Sequence, residues 1–224
     1  MSYLYETHCH GAQCSRCAHS TSAELVRAYH AAGYAGLVLT DHFVTGNTAV
    51  DRTAPWSEQM RQYYDAYLEA KQVGDSLDFD VIFGIEPACE GFEFLCYGID
   101  LDFLLANPDI PELPLEEFVE RLHEYGGVVI QAHPFRYAPA GTPLPLEILD
   151  GLEVYNAANH AEGNHNAMAA APADKIRTSG GDIHLASDTR VGQAGIRLPY
   201  RVVDSKAFAA ALRSREHKLL IAGQ

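Results

Sequence analysis

Histidine, aspartate and glutamate side chains follow several apolar segments of this sequence at the point where each segment ends. His8 and His10 stand two residues apart at the end of the first segment, and Glu86, His133 and Asp188 follow three others. Side chains at i and i+2 of a strand point to the same face, so one metal ion can contact both imidazoles. Imidazoles combined with carboxylates suit Zn, Mn or Fe. The residue types and their spacing therefore predict a metal site.

The apolar segments have the length of strands and alternate with segments of helical period, which is typical of an α/β protein with a mainly parallel sheet. We expect strands at Tyr3–Thr7, Gly36–Thr40, Val81–Ile85, Phe94–Ile99, Val128–Ala132, Gly151–Tyr155 and Ile183–Ala186. We expect helices at Ser22–Ala32, Ser57–Val73, Leu115–Tyr125, Asn164–Thr178 and Ser205–Ser214. These units fill residues 1–224, which favours a single domain built as a closed or nearly closed barrel.

In a parallel barrel the carboxyl ends of the strands share one face, and catalytic residues lie there. Asp100 follows the fourth predicted strand, so we expect it on that face as well. The segments Gly46–Pro55 and Arg136–Pro145 are long and rich in Gly, Pro, Thr and Ala, which indicates loops at the rim of a pocket. Tyr200–Val203 is expected to form an edge strand.

Composition excludes several classes of protein. The 224 residues include 30 acidic and 16 basic side chains, a net charge of -14, and 47% hydrophobic residues. That acidity disfavours a broad nucleic-acid-binding face, so no long nucleic acid is expected as a partner. No apolar stretch reaches the roughly 18–20 residues of a membrane span, and the first residues lack the order of a signal peptide. With five cysteines, an odd number, these features favour a cytoplasmic protein with free thiols.

The polar strand ends also form a set of motifs. They read His8-Cys9-His10, Thr40-Asp41-His42, Gly84-Ile85-Glu86, Tyr97-Gly98-Ile99-Asp100, Gln131-Ala132-His133-Pro134, Leu152-Glu153-Val154-Tyr155-Asn156 and Ser187-Asp188. In this order and spacing the sequence resembles the polymerase and histidinol phosphatase (PHP) family from about Tyr5 to about Arg190. The resemblance implies a distorted seven-stranded β/α barrel and a metal-dependent phosphoesterase with two or three metals at the carboxyl ends of the strands.

Carried over residue by residue, the resemblance implies two sets of metal ligands. The first metal would be held by His8, His10, Glu86 and Asp188, with Glu86 bridging to the second metal. The second would take His133 and Glu93, which stands where many relatives have histidine. A carboxylate is an acceptable hard ligand and shifts the preference toward Mn or Fe.

The third metal site of the family is where this sequence departs from the pattern. Of the expected ligands only His42 is in place, and Asp188-Thr189-Arg190 has arginine where relatives have histidine. Arginine has no lone pair for a metal. We therefore predict a binuclear site, with Arg190 in the space of the third cation and its guanidinium on the substrate phosphate. Alternatively, Arg190 points outward and the third site is filled through His42, His19 or the thiols of Cys14 and Cys17.

Cys14 and Cys17 form a C-x-x-C pair, for which three interpretations stay open. A redox motif would open a helix in a thioredoxin-like unit, which does not match this loop position. A zinc site could draw on Cys9, Cys14, Cys17 and His19, although Cys9 should face away from His8 and His10 in a regular strand. Unreactive loop thiols are the third interpretation.

Several other residues are candidates for contact with substrate. Arg136 is either a surface residue or a phosphate clamp, and Arg16 is a weaker candidate of the same kind. Asn156 would lie beside the substrate pocket, according to the resemblance. His42, if it is not a ligand, could hydrogen-bond the substrate or protonate the leaving oxygen.

The predicted reaction is hydrolysis of a phosphate monoester of a small metabolite by a metal-activated hydroxide. One alternative is a phosphodiesterase or nuclease-like hydrolase that uses the same site. Another is a catalytically weakened module that binds a metal or a nucleotide.

Overall fold

A computed structural model describes residues 2–139, 141–142 and 144–223. Within these ranges the chain forms ten strands and six α-helices. The strands are β1 (Tyr3–Cys9), β2 (Gly36–His42), β3 (Asp80–Glu86), β4 (Ala88–Cys89), β5 (Phe92–Tyr97), β6 (Val128–Gln131), β7 (Gly151–Asn156), β8 (Ile176–Gly180), β9 (Ala194–Leu198) and β10 (Lys218–Ile221). The helices are α1 (Ser22–Ala31), α2 (Trp56–Ser76), α3 (Leu101–Ala106), α4 (Leu115–Tyr125), α5 (Ala161–Ala170) and α6 (Ser205–Ser214). A short 3-10 helix covers Ile110–Glu112.

The strands form one sheet in the order β10-β9-β1-β2-β3-β5-β6-β7-β8, with β4 paired to β5. Backbone hydrogen bonds from His10 N to Ile183 O and from Asp182 N to His8 O bring β1 next to the segment that follows β8. The sheet is therefore nearly closed into a barrel, and the predicted α/β barrel class is confirmed. The number of strands in the described residues is ten, against the seven expected, because β4, β9 and β10 are short or antiparallel additions.

Strand β5 runs antiparallel to both of its long neighbours, β3 and β6. Its carboxyl end therefore lies at the opposite end of the barrel from Glu86, and the prediction that Asp100 shares the rim with Glu86 was wrong. Asp100 instead caps α3, where its side chain accepts a 3.0 Å hydrogen bond from the backbone N of Phe103. The same reversal puts Glu93, at the start of β5, on the rim.

The segment before the last parallel strand differs from the prediction. Helix α5 ends at Ala170, and the residues that were expected to continue it form β8. The reason is Pro172, which disfavours the helical conformation of the residue before it and removes a backbone donor. Residues 183–186 are consequently no strand, although Ile183 makes a single parallel bridge with Cys9.

The expected edge strand at Tyr200–Val203 is also absent from the described structure, since β9 provides the antiparallel neighbour of β1. The backbone N of Val202 donates to the hydroxyl of Tyr5 at 2.9 Å and so is not available for a strand.

Of the two predicted loops, residues 46–55 form turns, and Thr48 bridges to Ser15. The other loop includes residues 140 and 143, which lie outside the described residues.

The core lies on both sides of the sheet. Phe208 of α6 packs against Tyr97 and Tyr5, with ring centroids 5.0 and 6.4 Å away. A larger group of apolar side chains fills the space between the sheet and α1, α2 and α4. All five cysteines fall within the described ranges and are unpaired. No helix in the described part of the chain is long and apolar enough to cross a membrane.

Candidate metal centre

The carboxyl ends of the parallel strands bring buried imidazoles and carboxylates to one place. His8 and His10 are at the end of β1, and Glu86 is the last residue of β3; all three are fully buried. Asp182 follows β8 and is 3% exposed, and His133 follows β6 and is 6% exposed. So many ionisable groups in a buried site are costly unless they are paired with each other or with a metal ion.

The first group of donor atoms surrounds the ring nitrogens of His8 and His10. The Nε2 atoms of these two residues lie 3.0 Å apart. Asp182 Oδ1 is 3.5 Å from His8 Nε2 and 3.2 Å from His10 Nε2, and Glu86 oxygens lie 3.2 and 3.4 Å from the same two nitrogens. Two donors that each bind an ion at about 2.1 Å in tetrahedral geometry are roughly 3.4 Å apart. The spacing is therefore that of ligands around one cation.

A second group shares Glu86 with the first. His133 Nε2 lies 3.2 Å from Glu86 Oε1 and 3.5 Å from Glu93 Oε2. His42 Nδ1 lies 2.8 Å from Glu86 Oε2 and 3.9 Å from Glu93 Oε1. Glu86 thus lies between the two groups. Its Oε1 is close to His8 and His133, and its Oε2 is close to His10 and His42, which is the arrangement of a bridging carboxylate.

Two buried atoms at this junction have no hydrogen-bond partner within the described ranges. His42 Nδ1 and Glu86 Oε2 approach closely but without the geometry of a hydrogen bond. Burial raises the pKa of Glu86, but the charge of His8 and the hydrogen bond from His133 outweigh it and hold that pKa well below its usual value. Burial lowers the pKa of His10 to about 3, so its imidazole is neutral, which is the form that binds metals. These residues fit a divalent cation.

Glu153 of β7 fixes the orientation of the metal-facing side chains. Its Oε1 lies 3.0 Å from His8 Nδ1. Its Oε2 accepts hydrogen bonds from the backbone N of His133 at 2.8 Å and from Asn156 Nδ2 at 2.9 Å. His133 has a φ of 27°, in the left-handed region that non-glycine residues avoid, and this bond supports that strained backbone.

A third group of possible ligands comprises His10, His42 and His184. The ring of His10 stacks on those of His42 and His184, with centroids 4.4 and 4.3 Å away. The thiol of Cys17 is next to them. Burial raises the pKa of Cys17, but hydrogen bonds with His184 and His42 lower it to about 6.

The structure brings His8, His10, Glu86, Glu93 and His133 together, as the sequence predicted for the metal ligands. It does not bring Asp188 into any of the three groups. The carboxylate of Asp188 pairs with Arg190, whose Nη2 is 2.5 Å and whose Nε is 2.9 Å away. Asp182 lies where Asp188 was expected, because the last parallel strand ends at Gly180.

Arg190 is also not in the space of a third cation, since its partly exposed side chain is held by Asp188. The third group of possible ligands contains His184 and not Arg190. His184 was not among the predicted ligands, because it falls inside the expected strand Ile183–Ala186. The signal that could have found it is the spacing Asp182-Ile183-His184, because here a histidine stands two residues after the aspartate, where Asp188-Thr189-Arg190 has arginine.

Of the candidate substrate contacts, Arg136 and Asn156 adjoin the centre. Arg136 Nη2 lies 2.6 Å from Asp182 Oδ2 and 2.9 Å from Asn156 Oδ1, while its buried Nε has no hydrogen-bond partner among the described residues. Arg16 is exposed, and its Nε donates to the backbone O of Thr48. A cleft of about 170 Å³ opens beside the centre, and Glu93, His133 and Arg136 are among its lining residues.

Comparisons with known proteins agree with this picture at the level of the fold. The structure superposes on a two-domain protein of Bacteroides vulgatus, described as containing a predicted PHP-like metal-dependent phosphoesterase, with a TM-score of 0.71 and 12% identity. The superposition covers 99% of this chain and 65% of that one. A lesion-specific endonuclease of Pyrococcus furiosus superposes with a TM-score of 0.66 and 13% identity, over 98% of this chain and 58% of the other.

The fold is therefore that of the PHP-like phosphoesterases, and the resemblance read from the motifs is confirmed at that level. No protein-family model matches the sequence. An uncharacterized protein of Methanocaldococcus jannaschii is 38% identical over 92 residues, which are 39% of this chain and 52% of that protein. This chain thus matches only about half the length of that relative.

Proposed function

We propose that this protein is a metal-dependent hydrolase that cleaves a phosphate monoester of a small molecule. The observation that carries the proposal is the convergence of buried imidazoles and carboxylates on Glu86. His8, His10, Asp182 and Glu86 would hold one divalent cation, and Glu86, Glu93 and His133 would hold a second. This mixture of nitrogen and oxygen donors suits Mn, Fe or Zn.

When bound, such a pair of cations supplies Lewis acidity toward water and toward the phosphate oxygens. The residues of the chain bind and orient the substrate. Arg136 lies beside Asp182, and its buried Nε–H has no acceptor in the part of the chain that the structure describes, so its guanidinium is placed to bind a phosphate oxygen. Asn156 holds that guanidinium in place through its Oδ1. We assign His42 to the metal centre, because its Nδ1 lies 2.8 Å from Glu86 Oε2.

Two observations support a small substrate. The cleft beside Glu93 and His133 is only about 170 Å³ in volume. The net charge of -14 opposes binding of a polynucleotide, whose affinity depends on Lys and Arg contacts with phosphates. The likeness to an endonuclease keeps phosphodiester hydrolysis as the second candidate, and the same centre would serve it.

The test uses purified protein that is stripped with a chelator and reloaded separately with Mn, Fe(II) or Zn. Phosphate release from p-nitrophenyl phosphate should disappear on chelation, return on reloading, and fall at least about 100-fold in Glu86→Gln. The exposed Glu162→Gln is the matched control and should retain activity. Turnover that survives chelation would refute the proposal. Faster cleavage of bis-p-nitrophenyl phosphate would favour the diesterase, and metal binding without any turnover would favour a binding module.

A further inference from the structure

The cleft beside the second cation site extends past the metal-facing side chains to a buried amide. Besides Glu93, His133 and Arg136, its lining residues include Gln131, the last residue of β6. Gln131 is 1% exposed, and its Oε1 has no hydrogen-bond partner in the described part of the chain. A buried polar group is costly unless it is hydrogen-bonded. We therefore expect the amide of Gln131 to bind a group that enters through the cleft.

The pairing of β5 with β6 shows how the cleft reaches Gln131. Gln131 lies directly opposite Phe94, and the backbone N of Ala132 donates to Glu93 O at 2.9 Å. Successive side chains of a strand point to opposite faces of the sheet. Glu93 faces the metal centre, whereas Phe94 packs in the core between the sheet and the helices, so Gln131 is on the outer face as well. A cleft that touches both Glu93 and Gln131 therefore passes over the rim of the barrel.

Apolar side chains line much of this passage. Phe92 comes from β5, and Pro134 and Phe135 come from the loop after β6. Phe135 has a φ of 67°, which a non-glycine residue adopts only where the surrounding structure fixes it, so the fold specifies the shape of this wall. A cavity of about 150 Å³ can hold benzene. The cleft, of about 170 Å³, can thus hold an organic group of about six non-hydrogen atoms.

We propose that this passage holds the alcohol part of the phosphate ester and that Gln131 hydrogen-bonds a hydroxyl group on it. The inference rests on the proposed function, because the phosphate lies at the metal centre and the alcohol extends over the rim. Gln131 and His133 are two residues apart, at most roughly 7 Å along an extended chain, so the hydroxyl is a few carbon atoms from the phosphate. A hydroxyl both donates and accepts, and so can bond either end of the amide. The substrate class is the monophosphate of a small diol or polyol.

The test measures binding instead of turnover. Propylphosphonate and 3-hydroxypropylphosphonate differ by one hydroxyl, and their phosphorus–carbon bond is not an ester that a phosphatase can hydrolyse. Titration calorimetry with the metal-loaded full chain compares the affinities of this pair and of shorter and longer pairs. We expect at least one hydroxyl-bearing phosphonate to bind about fivefold to tenfold more tightly than its alkyl counterpart, which is the effect of one hydrogen bond.

Gln131→Met keeps the length of the side chain and removes the amide. It should reduce the preference for the hydroxyl to less than about twofold and leave the affinity for the alkyl phosphonate unchanged. Gln72→Met, on the exposed face of α2, is the matched control and should retain the preference. A preference that persists in Gln131→Met would overturn the inference.

The wild type alone also decides the question if Gln131→Met does not fold. Equal affinity for the two members of every pair, or no binding of either, would overturn the inference and leave the amide bound to ordered water only. If the preference is found but no phosphate ester is hydrolysed, the binding site for the alcohol stands and the proposed activity fails. If esters are hydrolysed but the preference is absent, the proposed activity stands and this inference fails.

Discussion

Glu153 and His8 are both fully buried, and their Oε1 and Nδ1 atoms lie 3.0 Å apart. A deprotonated carboxylate can only accept a hydrogen bond, so Nδ1 of His8 carries a proton and Nε2 is the nitrogen that would bind a metal ion. The second oxygen of Glu153 accepts from the backbone of His133. One side chain therefore sets the tautomer of a ligand in the first group and the position of a ligand in the second.

Glu153→Gln should weaken metal binding about 10- to 100-fold, the usual effect of losing such a supporting carboxylate. Its amide oxygen would remain with the donors His133 N and Asn156 Nδ2, so the amide NH₂ would face His8 and place the ring proton on Nε2. Titration calorimetry with Mn or Zn measures the change. Glu162→Gln, on the exposed face of α5, is the control. Wild-type affinity in Glu153→Gln would show that the tautomer of His8 is not set in this way.

A paired substitution distinguishes the two candidate aspartates. Asp182→Asn removes a carboxylate that lies 3.2 Å from His10 Nε2, and we expect at least about a tenfold loss of metal affinity. Asp188→Asn breaks only the pair with Arg190 and should bind metal as the wild type does. Equilibrium dialysis with elemental analysis measures both. The reverse ranking would mean that Asp188, as the sequence suggested, is the ligand.

Substitutions of the two candidate arginines, Arg136 and Arg190, should differ in their effect on catalysis. Arg136→Ala should lower kcat/KM for a phosphate monoester about 100- to 1,000-fold, because a preorganised donor to the phosphate is lost. Arg136→Lys should recover only part of this, since the ammonium keeps the charge but cannot form two parallel hydrogen bonds. Arg190→Ala should remain close to wild type because its guanidinium is occupied by Asp188. Steady-state kinetics of metal-loaded enzyme test the ranking, and a greater loss in Arg190→Ala would contradict it.

Burial of His217 should make the free energy of unfolding fall at acid pH. Burial lowers its pKa, although a 2.8 Å hydrogen bond to Arg177 O opposes this. The unfolded chain therefore binds a proton more readily, so this contribution to stability is present above about pH 6.5 and is lost as the pH falls. In His217→Gln the free energy of unfolding should depend less steeply on pH between about 7 and 5. Urea titrations measure this, with the exposed His165→Gln as control. An unchanged slope would argue against His217.

Much of the centre could be predicted from the sequence because its signals are local. The i, i+2 spacing of His8 and His10 predicts two imidazoles on one face, and the structure places their Nε2 atoms 3.0 Å apart. Glu86 ends β3 and His133 comes shortly after β6, and both strands are clear apolar segments in the sequence. Glu93 was found from the family resemblance, and the antiparallel direction of β5 accounts for its position on the rim.

The wrong predictions concern features that the hydrophobic periodicity of the sequence does not reveal. The alanine-rich segment around α5 reads as one long helix, but Pro172 ends it and β8 begins at Ile176. That shift moved the expected strand end from Asp182 to Asp188 and concealed His184. Likewise, the approach of Cys17 to His42 depends on backbone bonds between separate loops, such as Arg16 N to Asn47 O.

The most direct test of the central claim is anomalous diffraction from crystals of the metal-loaded protein, recorded across the Mn, Fe and Zn edges. We expect one peak bounded by His8, His10, Glu86 and Asp182, and another bounded by Glu86, Glu93 and His133. Crystals loaded under the same conditions that show no peak in contact with Glu86, or metal only at Asp188, would contradict the account.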